Sequence, residues 1–236
     1  MTGPRRARLS AWAVHLLTAS GAALAMLALA ATARDDEQLA FVLLFAALAV
    51  DGIDGTLARR WRVKDVEPRI DGDSLDLVVD YLTYVFVPAF LLWRGNYLPA
   101  ALAPWLTALI LLSSLYTFAR TDMKTPDGYF RGFPALWVVV AFYLFVLRPD
   151  AAVAAAVVVV LAAATFAPIH VVHPFRARDY GVALPVLALL WGAATAALLI
   201  PGLSGPARTP AIAMSLLAAS MLLILGLVRT LRGERR

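Results

Sequence analysis

Four aspartates lie in one stretch of the chain, at the ends of two apolar runs long enough to cross a bilayer. They are Asp51, Asp54, Asp76 and Asp80. Carboxylates beside hydrocarbon are energetically unfavourable, and in membrane segments they usually mark a functional site. Several carboxylates within a few ångströms of one another need a counter-charge, which a divalent cation supplies. The stretch therefore predicts a metal site.

The spacing of these acids places each pair on one face of a helix. On an ideal helix the first two acids lie within about 60° of each other, and Gly55 flanks them. Gly72, Asp76 and Asp80 repeat every four residues, so they stack along one face. Two helices that each present two acids and a glycine would form a metal cage with room for a phosphate group.

The types of ligand available indicate which metal to expect. None of the three histidines lies in this stretch, and the chain has no cysteine. Oxygen-only ligation favours Mg²⁺, Mn²⁺ or Ca²⁺ over zinc or copper. Two ions bridging a diphosphate would suit four aspartates, and one acid could serve as a general base.

Small and basic residues beside the acids could hold a phosphorylated substrate. Gly55 and Ala58 lack bulk where a substrate would approach the helix backbone. Arg59 lies about 80° off the acidic face and could bind a phosphate with two guanidinium nitrogens. We therefore expect all three residues to line a phosphate-binding surface.

The alternative for acids in this region is a solvated, salt-bridged loop. We expect that role for Asp65, Glu67 and Asp71, which lie among several arginines and a lysine. Asp73 either caps the third predicted helix or supports the metal ligands from behind. On the first apolar segment, His15 and Thr18 are one turn apart and serve either packing or contact with the substrate.

Composition assigns the chain to the membrane proteins. Of its 236 residues, 61% are hydrophobic and only 16% are charged, and the mean hydropathy is +0.77. A soluble domain with so much apolar surface would aggregate. The net charge is +5, but the basic residues are scattered over loops, which fits anionic lipid headgroups better than nucleic acid.

Eight apolar segments predict an all-α, polytopic membrane helical bundle of about eight transmembrane helices. No internal repeat and no soluble domain is evident, so we expect a single membrane-embedded domain over residues 1–236. The segments cover residues 9–30, 39–58, 74–93, 98–119, 133–147, 151–171, 182–200 and 209–228.

The distribution of basic residues predicts the orientation of the bundle. If both termini are on one side, that side holds 17 of the 21 basic residues, and the other keeps Arg34, Arg94, Arg148 and Arg208. Such a bias places both termini, and the four acids, on the cytoplasmic side. The seventeen are Arg5, Arg6, Arg8, Arg59, Arg60, Arg62, Lys64, Arg69, Arg120, Lys124, Arg131, Arg176, Arg178, Arg229, Arg232, Arg235 and Arg236.

The two acidic helices together resemble the signature of the CDP-alcohol phosphatidyltransferases. These integral membrane enzymes move a phosphatidyl group from CDP-diacylglycerol to an alcohol and release CMP. The pattern here is Asp51-x-x-Asp54-Gly55-x-x-Ala58-Arg59, followed by Gly72-x-x-x-Asp76-x-x-x-Asp80.

The spacer between the two halves of this pattern is similar to one bacterial branch of the family. Twelve residues separate Arg59 from Gly72, more than in most of the family, and that branch uses free choline as the acceptor. Val138 departs from the branch, which has Asn after this Trp, so another acceptor stays open. Further similarity lies in VHLLTASG (14–21), LVVDYLTYVFVPAF (77–90), MKT (123–125), GFPALW (132–137) and HPFR (173–176).

The resemblance implies roles for the residues of the motif. It implies two divalent ions, Mn²⁺ or Mg²⁺, and a direct displacement in which Asp80 is the base that acts on the alcohol. It also implies a homodimer in a bacterial inner membrane, with the active site facing the cytoplasm. The implied metal ligands are Asp51, Asp54, Asp76 and Asp80. The implied CDP and diphosphate contacts are Gly55, Ala58, Arg59 and Gly72.

Choline is a fixed cation without an N–H donor, so proteins bind its head with aromatic faces or a nearby acid. Tyr81 and Tyr84 follow Asp80 on the third predicted helix, and Trp137 follows the next loop on the same side. These three aromatic residues are our candidates for contact with choline. The alternative is that they are interfacial anchors or packing residues.

Two other functions are compatible with the acids. The same chemistry could use serine, inositol or glycerol phosphate as the acceptor. A cation transporter could use the aspartates as an ion site. Transporters usually show internal repeats and acids near the bilayer midplane, whereas these acids lie at one edge and do not recur in the second half of the chain. We therefore favour the enzyme.

Overall fold

The computed structural model describes residues 3–177 and 179–233, so Arg178, Arg235 and Arg236 of the basic set lie outside it. The described chain forms ten α-helices, and a π-helical segment, Tyr81–Phe86, follows the fourth. The helices are α1 (Gly3–Ala33), α2 (Glu37–Arg60), α3 (Val63–Val66), α4 (Gly72–Asp80), α5 (Val87–Arg94), α6 (Ala103–Ala119), α7 (Trp137–Leu147), α8 (Ala151–Ala164), α9 (Ala183–Leu198) and α10 (Gly205–Arg232).

Four helical stretches of the described chain are long and apolar enough to cross a membrane. They lie in α1, in α2, in the continuous stretch Gly72–Arg94 and in α10. The other apolar helices, α6 to α9, have 10 to 17 residues. At 1.5 Å per residue, the 11 residues of α7 span roughly 16 Å, about half of the hydrocarbon thickness. The protein is thus a helical membrane protein, and the count of eight spans stays a prediction.

The expectation of purely α-helical structure is wrong in one place. Two short strands, β1 (Tyr129–Arg131) and β2 (His170–Val172), form an antiparallel ribbon. Residues His170 and Val171 of β2 belong to the apolar segment 151–171, which predicts a helix, but the helix ends at Ala164. The β-branched Val171 and Val172 favour the extended backbone that the ribbon needs.

The described residues divide into two compact units. The first comprises the chain up to Asn96 together with Trp137–Phe142. The second comprises residues 97–136 and the chain from Tyr143 onward. That both units belong to one membrane-embedded domain over residues 1–236 stays a prediction.

Small side chains let the helices of the first unit approach one another closely. Helix α1 packs along α2 and also contacts α4 and α5. A β-carbon added at Gly21 would meet the side chain of Val79 on α4, and Ala25, Ala28 and Ala31 are buried along α1. Because lipid tails are as apolar as the helices, such close van der Waals contact is a main source of helix association in membranes.

Hydrogen bonds among polar side chains connect the helices of the second unit. The hydroxyl of Tyr143 on α7 accepts a hydrogen bond from Trp191 Nε1 on α9 at 2.9 Å. The same hydroxyl lies 3.0 Å from the carbonyl oxygen of Ser215 on α10, to which it can donate. Helix α10 also packs on β2, where a β-carbon at Gly226 would lie 3.1 Å from Val171 Cα.

Candidate active site

Three of the four predicted metal ligands come together in the first unit. Asp51 on α2 and Asp76 and Asp80 on α4 each offer a carboxylate oxygen, and these oxygens lie within 4.8 Å of one another. All three residues are half-buried. A cluster of oxygen ligands at this spacing suits Mg²⁺ or Mn²⁺. The i, i+4 spacing that predicted a common face for Asp76 and Asp80 is realised in α4.

A tyrosine hydroxyl orients the first of these carboxylates. Tyr84 donates a hydrogen bond to Asp51 Oδ2 at 2.5 Å, and its side chain is buried. Tyr84 lies in the π-helical segment, whose wider turn changes the direction of side chains relative to an α-helix. Sequence reasoning identified Tyr84 only as a candidate for choline, because the register of a π-turn has no clear signal in the sequence.

The fourth acid, Asp54, occupies a different environment. It is the most buried of the four, at 3% exposed, and its carboxylate is in hydrogen-bonding contact with the side chain of Thr18 on α1. Asp54 is not among the residues whose ligand oxygens lie within 4.8 Å of one another. Its role as a metal ligand therefore stays a prediction.

The glycine at the start of α4 lies against a buried histidine. A β-carbon at Gly72 would lie 3.4 Å from His15 Cε1 on α1. His15 is 6% exposed, and its Nε2 has no hydrogen-bond partner among the described residues. A β-carbon at this distance would be in ordinary van der Waals contact, so His15 of α1 packs directly against the start of α4.

The remaining motif residues lie on the last turns of α2. A β-carbon at Gly55 would be 3.4 Å from Arg59 Nη1, and Arg59 Nη2 donates to the Thr56 hydroxyl at 3.3 Å. Arg59 is exposed, so its guanidinium group can reach a phosphate. Ala58 instead packs on a small core cluster that includes Val14, so its small side chain serves packing at least in part.

Two expectations for the acids around α4 are corrected. Asp71 caps α4, because its side chain accepts hydrogen bonds from the backbone N–H groups of Asp73 and Ser74. Asp73 is therefore not the cap, and it pairs with Lys64. Asp71 is exposed but structured, and the cap fixes where α4 begins.

The expectation that Glu67 is a solvated loop residue is wrong, because its side chain is buried. It is 1% exposed, and Arg69 Nε donates to its Oε1 at 2.7 Å while Arg8 Nη2 lies 3.3 Å from its Oε2. Arg8 is on α1, so this ion pair ties the twelve-residue spacer to the first helix. The hydrogen bond from Arg69 lowers the pKa of Glu67, burial opposes this decrease, and the hydrogen bond from Arg8 adds to it.

We predict that the Glu67→Gln variant is less stable than the wild type at neutral pH. Because the pKa of Glu67 is lowered below its usual 4.5, the ionised carboxylate stabilises the folded protein above that pH. This contribution is lost as pH falls through the folded-state pKa. Melting temperatures in detergent should therefore differ at pH 7, and the difference should shrink as the pH falls below 4.5.

The matched control for this variant is Asp65→Asn. Asp65 forms an exposed pair with Arg62, in which both side chains are more than half exposed, and such pairs contribute little to stability. We expect no more than a small change in its melting temperature. A difference in melting temperature between wild type and Glu67→Gln that does not shrink below pH 4.5 would contradict the assignment.

The three candidates for choline contact differ in accessibility. Tyr81 directly follows Asp80 and is half-buried, and Tyr84 is buried with its hydroxyl on Asp51. Trp137 is fully buried. The aromatic ring next to the acids that has the most exposed surface is therefore that of Tyr81.

Comparison with known proteins gives a consistent set of relatives. A sequence model of the CDP-alcohol phosphatidyltransferase family matches residues 13–169. A phosphatidylcholine synthase of Pseudomonas aeruginosa is 49% identical over 170 residues, which cover 72% of this chain and 71% of the relative. A protein of the same name from Mesorhizobium japonicum is 42% identical over 186 residues, covering 78% and 69%. One from Legionella pneumophila is 38% identical over 182 residues, covering 77% and 71%.

Proposed function

Because the chain belongs to the CDP-alcohol phosphatidyltransferase family, we propose that it transfers a phosphatidyl group from CDP-diacylglycerol to choline and releases CMP. The observation that carries this proposal is the cluster formed by Asp51, Asp76 and Asp80, which belong to both halves of the family motif. The relatives named phosphatidylcholine synthase support choline as the acceptor. Membership of this family of transferases argues against the cation transporter.

The acids of the motif fit a divalent metal centre. Asp51, Asp76 and Asp80 would hold the ions, and Asp54, about one turn further along α2, would complete the predicted set of ligands. Oxygen-only ligation agrees with Mn²⁺ or Mg²⁺, and a diphosphate with four acids suits two ions. When bound, such ions stabilise negative charge on the diphosphate and on the departing CMP.

In the proposed reaction, the residues of the chain position the substrates and accept one proton. The Asp80 carboxylate takes the proton of the choline hydroxyl, and the choline oxygen forms a bond to the phosphorus of the phosphatidyl group. The bond from that phosphorus to the bridging oxygen breaks, and its electron pair leaves with CMP. Tyr84 keeps Asp51 oriented, and the exposed Arg59 binds the diphosphate.

For the choline head, we propose a pocket beside Asp80. Tyr81 would supply an aromatic face next to the acid cluster, and the ring of Tyr84 would supply a second one while its hydroxyl stays on Asp51. Trp137 is fully buried. It would therefore support the pocket, and it could contact choline only after a movement of the chain.

The family and the charge distribution also support a location and an assembly. We propose a multi-pass protein of a bacterial inner membrane, with both termini and the acid cluster on the cytoplasmic side. The water-soluble substrate choline and the product CMP would then exchange with the cytoplasm. We further propose a homodimer, as expected from the family.

The decisive experiment is an acceptor competition with the purified full chain. In detergent with Mn²⁺ or Mg²⁺ and CDP-diacylglycerol, labelled choline should be converted to phosphatidylcholine, with one CMP released for each lipid formed. Serine, inositol and glycerol phosphate should compete poorly. Turnover with one of these alcohols but not with choline would overturn the acceptor and retain the chemistry, and no CMP release with any alcohol would overturn the proposed function.

A further inference from the structure

A cavity of about 330 Å³ lies in the second unit, and none of the candidate active-site residues lines it. Part of its lining is basic, from Arg120, Arg131 and His170, and the only acid in the lining is Asp122. Another part is aromatic and apolar, beginning with Tyr116 and Phe166. This volume is at the lower end of the range of small-molecule sites.

The ribbon holds two of the basic residues side by side. Arg131 on β1 is paired directly with His170 on β2, so their side chains project from the same face of the ribbon. The backbone on either side is fixed: Gly132 N–H donates to the Ile169 carbonyl at 2.8 Å, and His170 N–H donates to the Thr230 hydroxyl at 2.7 Å. The positions of both side chains are thus set by backbone pairing rather than by a loose loop.

The third basic residue is held in place by its neighbours. Arg120 donates from Nε and Nη2 to the two carboxylate oxygens of Asp122, at 2.8 and 2.9 Å. Its guanidinium carbon lies 5.5 Å from the centre of the Tyr116 ring. Hydrogen bonds from Arg120 lower the pKa of Asp122, so the pair is ionised at neutral pH. The lining therefore carries two guanidinium groups and one carboxylate, with a formal charge of +1 when His170 is neutral.

The apolar part of the lining would accept hydrocarbon. The rings of Tyr116 and Phe166 lie 4.8 Å apart between centres. Phe166 is 60% exposed, and Ala167, Pro168 and Ile169 continue the apolar lining. A basic wall beside an exposed apolar wall matches a ligand that has an anionic head and an apolar tail.

We propose that this cavity binds an anionic phosphate group, presented by an anionic phospholipid or by a soluble phosphate ester. Arg131 binds the phosphate oxygens by charge-assisted hydrogen bonds, and Arg120 contributes its charge from a fixed position. Choline, as a cation, would be repelled by this lining. The site is therefore additional to the proposed acceptor pocket, and it goes beyond the proposed function.

The test is a binding titration with the full chain in neutral detergent, followed by native mass spectrometry. Short-chain phosphatidylglycerol is the lipid probe, and glycerol phosphate is the soluble probe. Arg131→Gln should weaken binding of phosphatidylglycerol by about tenfold or more, and Arg131→Lys should weaken it less because the charge is kept. The matched control is Arg232→Gln, which removes an exposed arginine at the end of α10 that does not line the cavity.

The probes also distinguish the two sources of phosphate. Binding of the lipid that depends on both Arg131 and Phe166 supports a phospholipid, with Phe166→Ala as the second variant. Equal binding of glycerol phosphate, dependent on Arg131 alone, supports a soluble ester. The proposal would be overturned if Arg131→Gln and Arg232→Gln weakened lipid binding equally, or if neither variant weakened it. It would also be overturned if CMP displaced the lipid, because the cavity would then be part of the donor site.

Discussion

The Asp80→Asn variant should lose at least about a thousandfold in turnover of choline, while the protein remains folded. The change removes a proton acceptor and one oxygen ligand of the cluster formed with Asp51 and Asp76. General-base catalysis alone typically contributes about 10²- to 10⁴-fold, and the loss of charge stabilisation by a metal adds to it. The measurement is CMP release and labelled phosphatidylcholine under saturating substrates.

Asp76→Asn should also lose turnover, because it removes a ligand of the same cluster. The proposed base, Asp80, is kept in this variant. The matched control is Asp73→Asn, which lies on the same helix, makes the same change of charge and only loses an exposed pair with Lys64. Size-exclusion profiles and melting temperatures establish that all three variants are folded. If Asp80→Asn kept more than about a tenth of wild-type turnover, which is about 1.4 kcal/mol of barrier, Asp80 would not be the base.

The positions of the acids could be predicted from the sequence because helical spacing is a local property. Once an apolar run defines a helix, residues four apart must share a face, and α4 places Asp76 and Asp80 together as expected. The approach of Asp51 to these two acids required only that the two apolar runs be neighbours in the membrane. The environment of Asp54 was less predictable, because it depends on Thr18 of another helix.

Contacts between distant parts of the chain could not be predicted. Glu67 has the local appearance of a solvated loop residue, but it is buried and contacts Arg8, 59 residues earlier. Tyr84 reaches Asp51 through a π-helical segment, 33 residues along the chain. Both contacts depend on how helices pack, which hydrophobic periodicity does not specify.

Helix boundaries were predictable only where hydropathy and backbone geometry agree. The apolar segment 133–147 predicted a helix along its whole length, but α7 begins at Trp137. Ala135 has a positive φ of 57°, which interrupts a right-handed helix, and Pro134 disfavours a helical conformation for the residue before it. Hydropathy scores valine alike in a strand and in a helix, so the predicted helical segment 151–171 includes His170 and Val171 of β2.

Removal of divalent ions should abolish turnover and also lower the stability of the folded protein. The three clustered carboxylates repel one another without a counter-charge. A ligand that binds only the folded state at a hundred times its Kd stabilises it by about 2.7 kcal/mol, which for a chain of this size is a rise of several degrees in melting temperature. We expect Mn²⁺ to produce such a rise after treatment with EDTA, and to restore turnover.

The variants separate a bound metal at these acids from a general effect of divalent ions on the protein. Asp73→Asn should respond to Mn²⁺ like the wild type, because its partner is Lys64 and not the cluster. Asp76→Asn should be more stable than the wild type in EDTA, because one of the three repelling charges is gone, and it should gain little from Mn²⁺. This inversion is specific to a cluster whose members need a shared cation. An equal rise in all three proteins would place the ions elsewhere, and the acids would then need another source of positive charge to lie so close together.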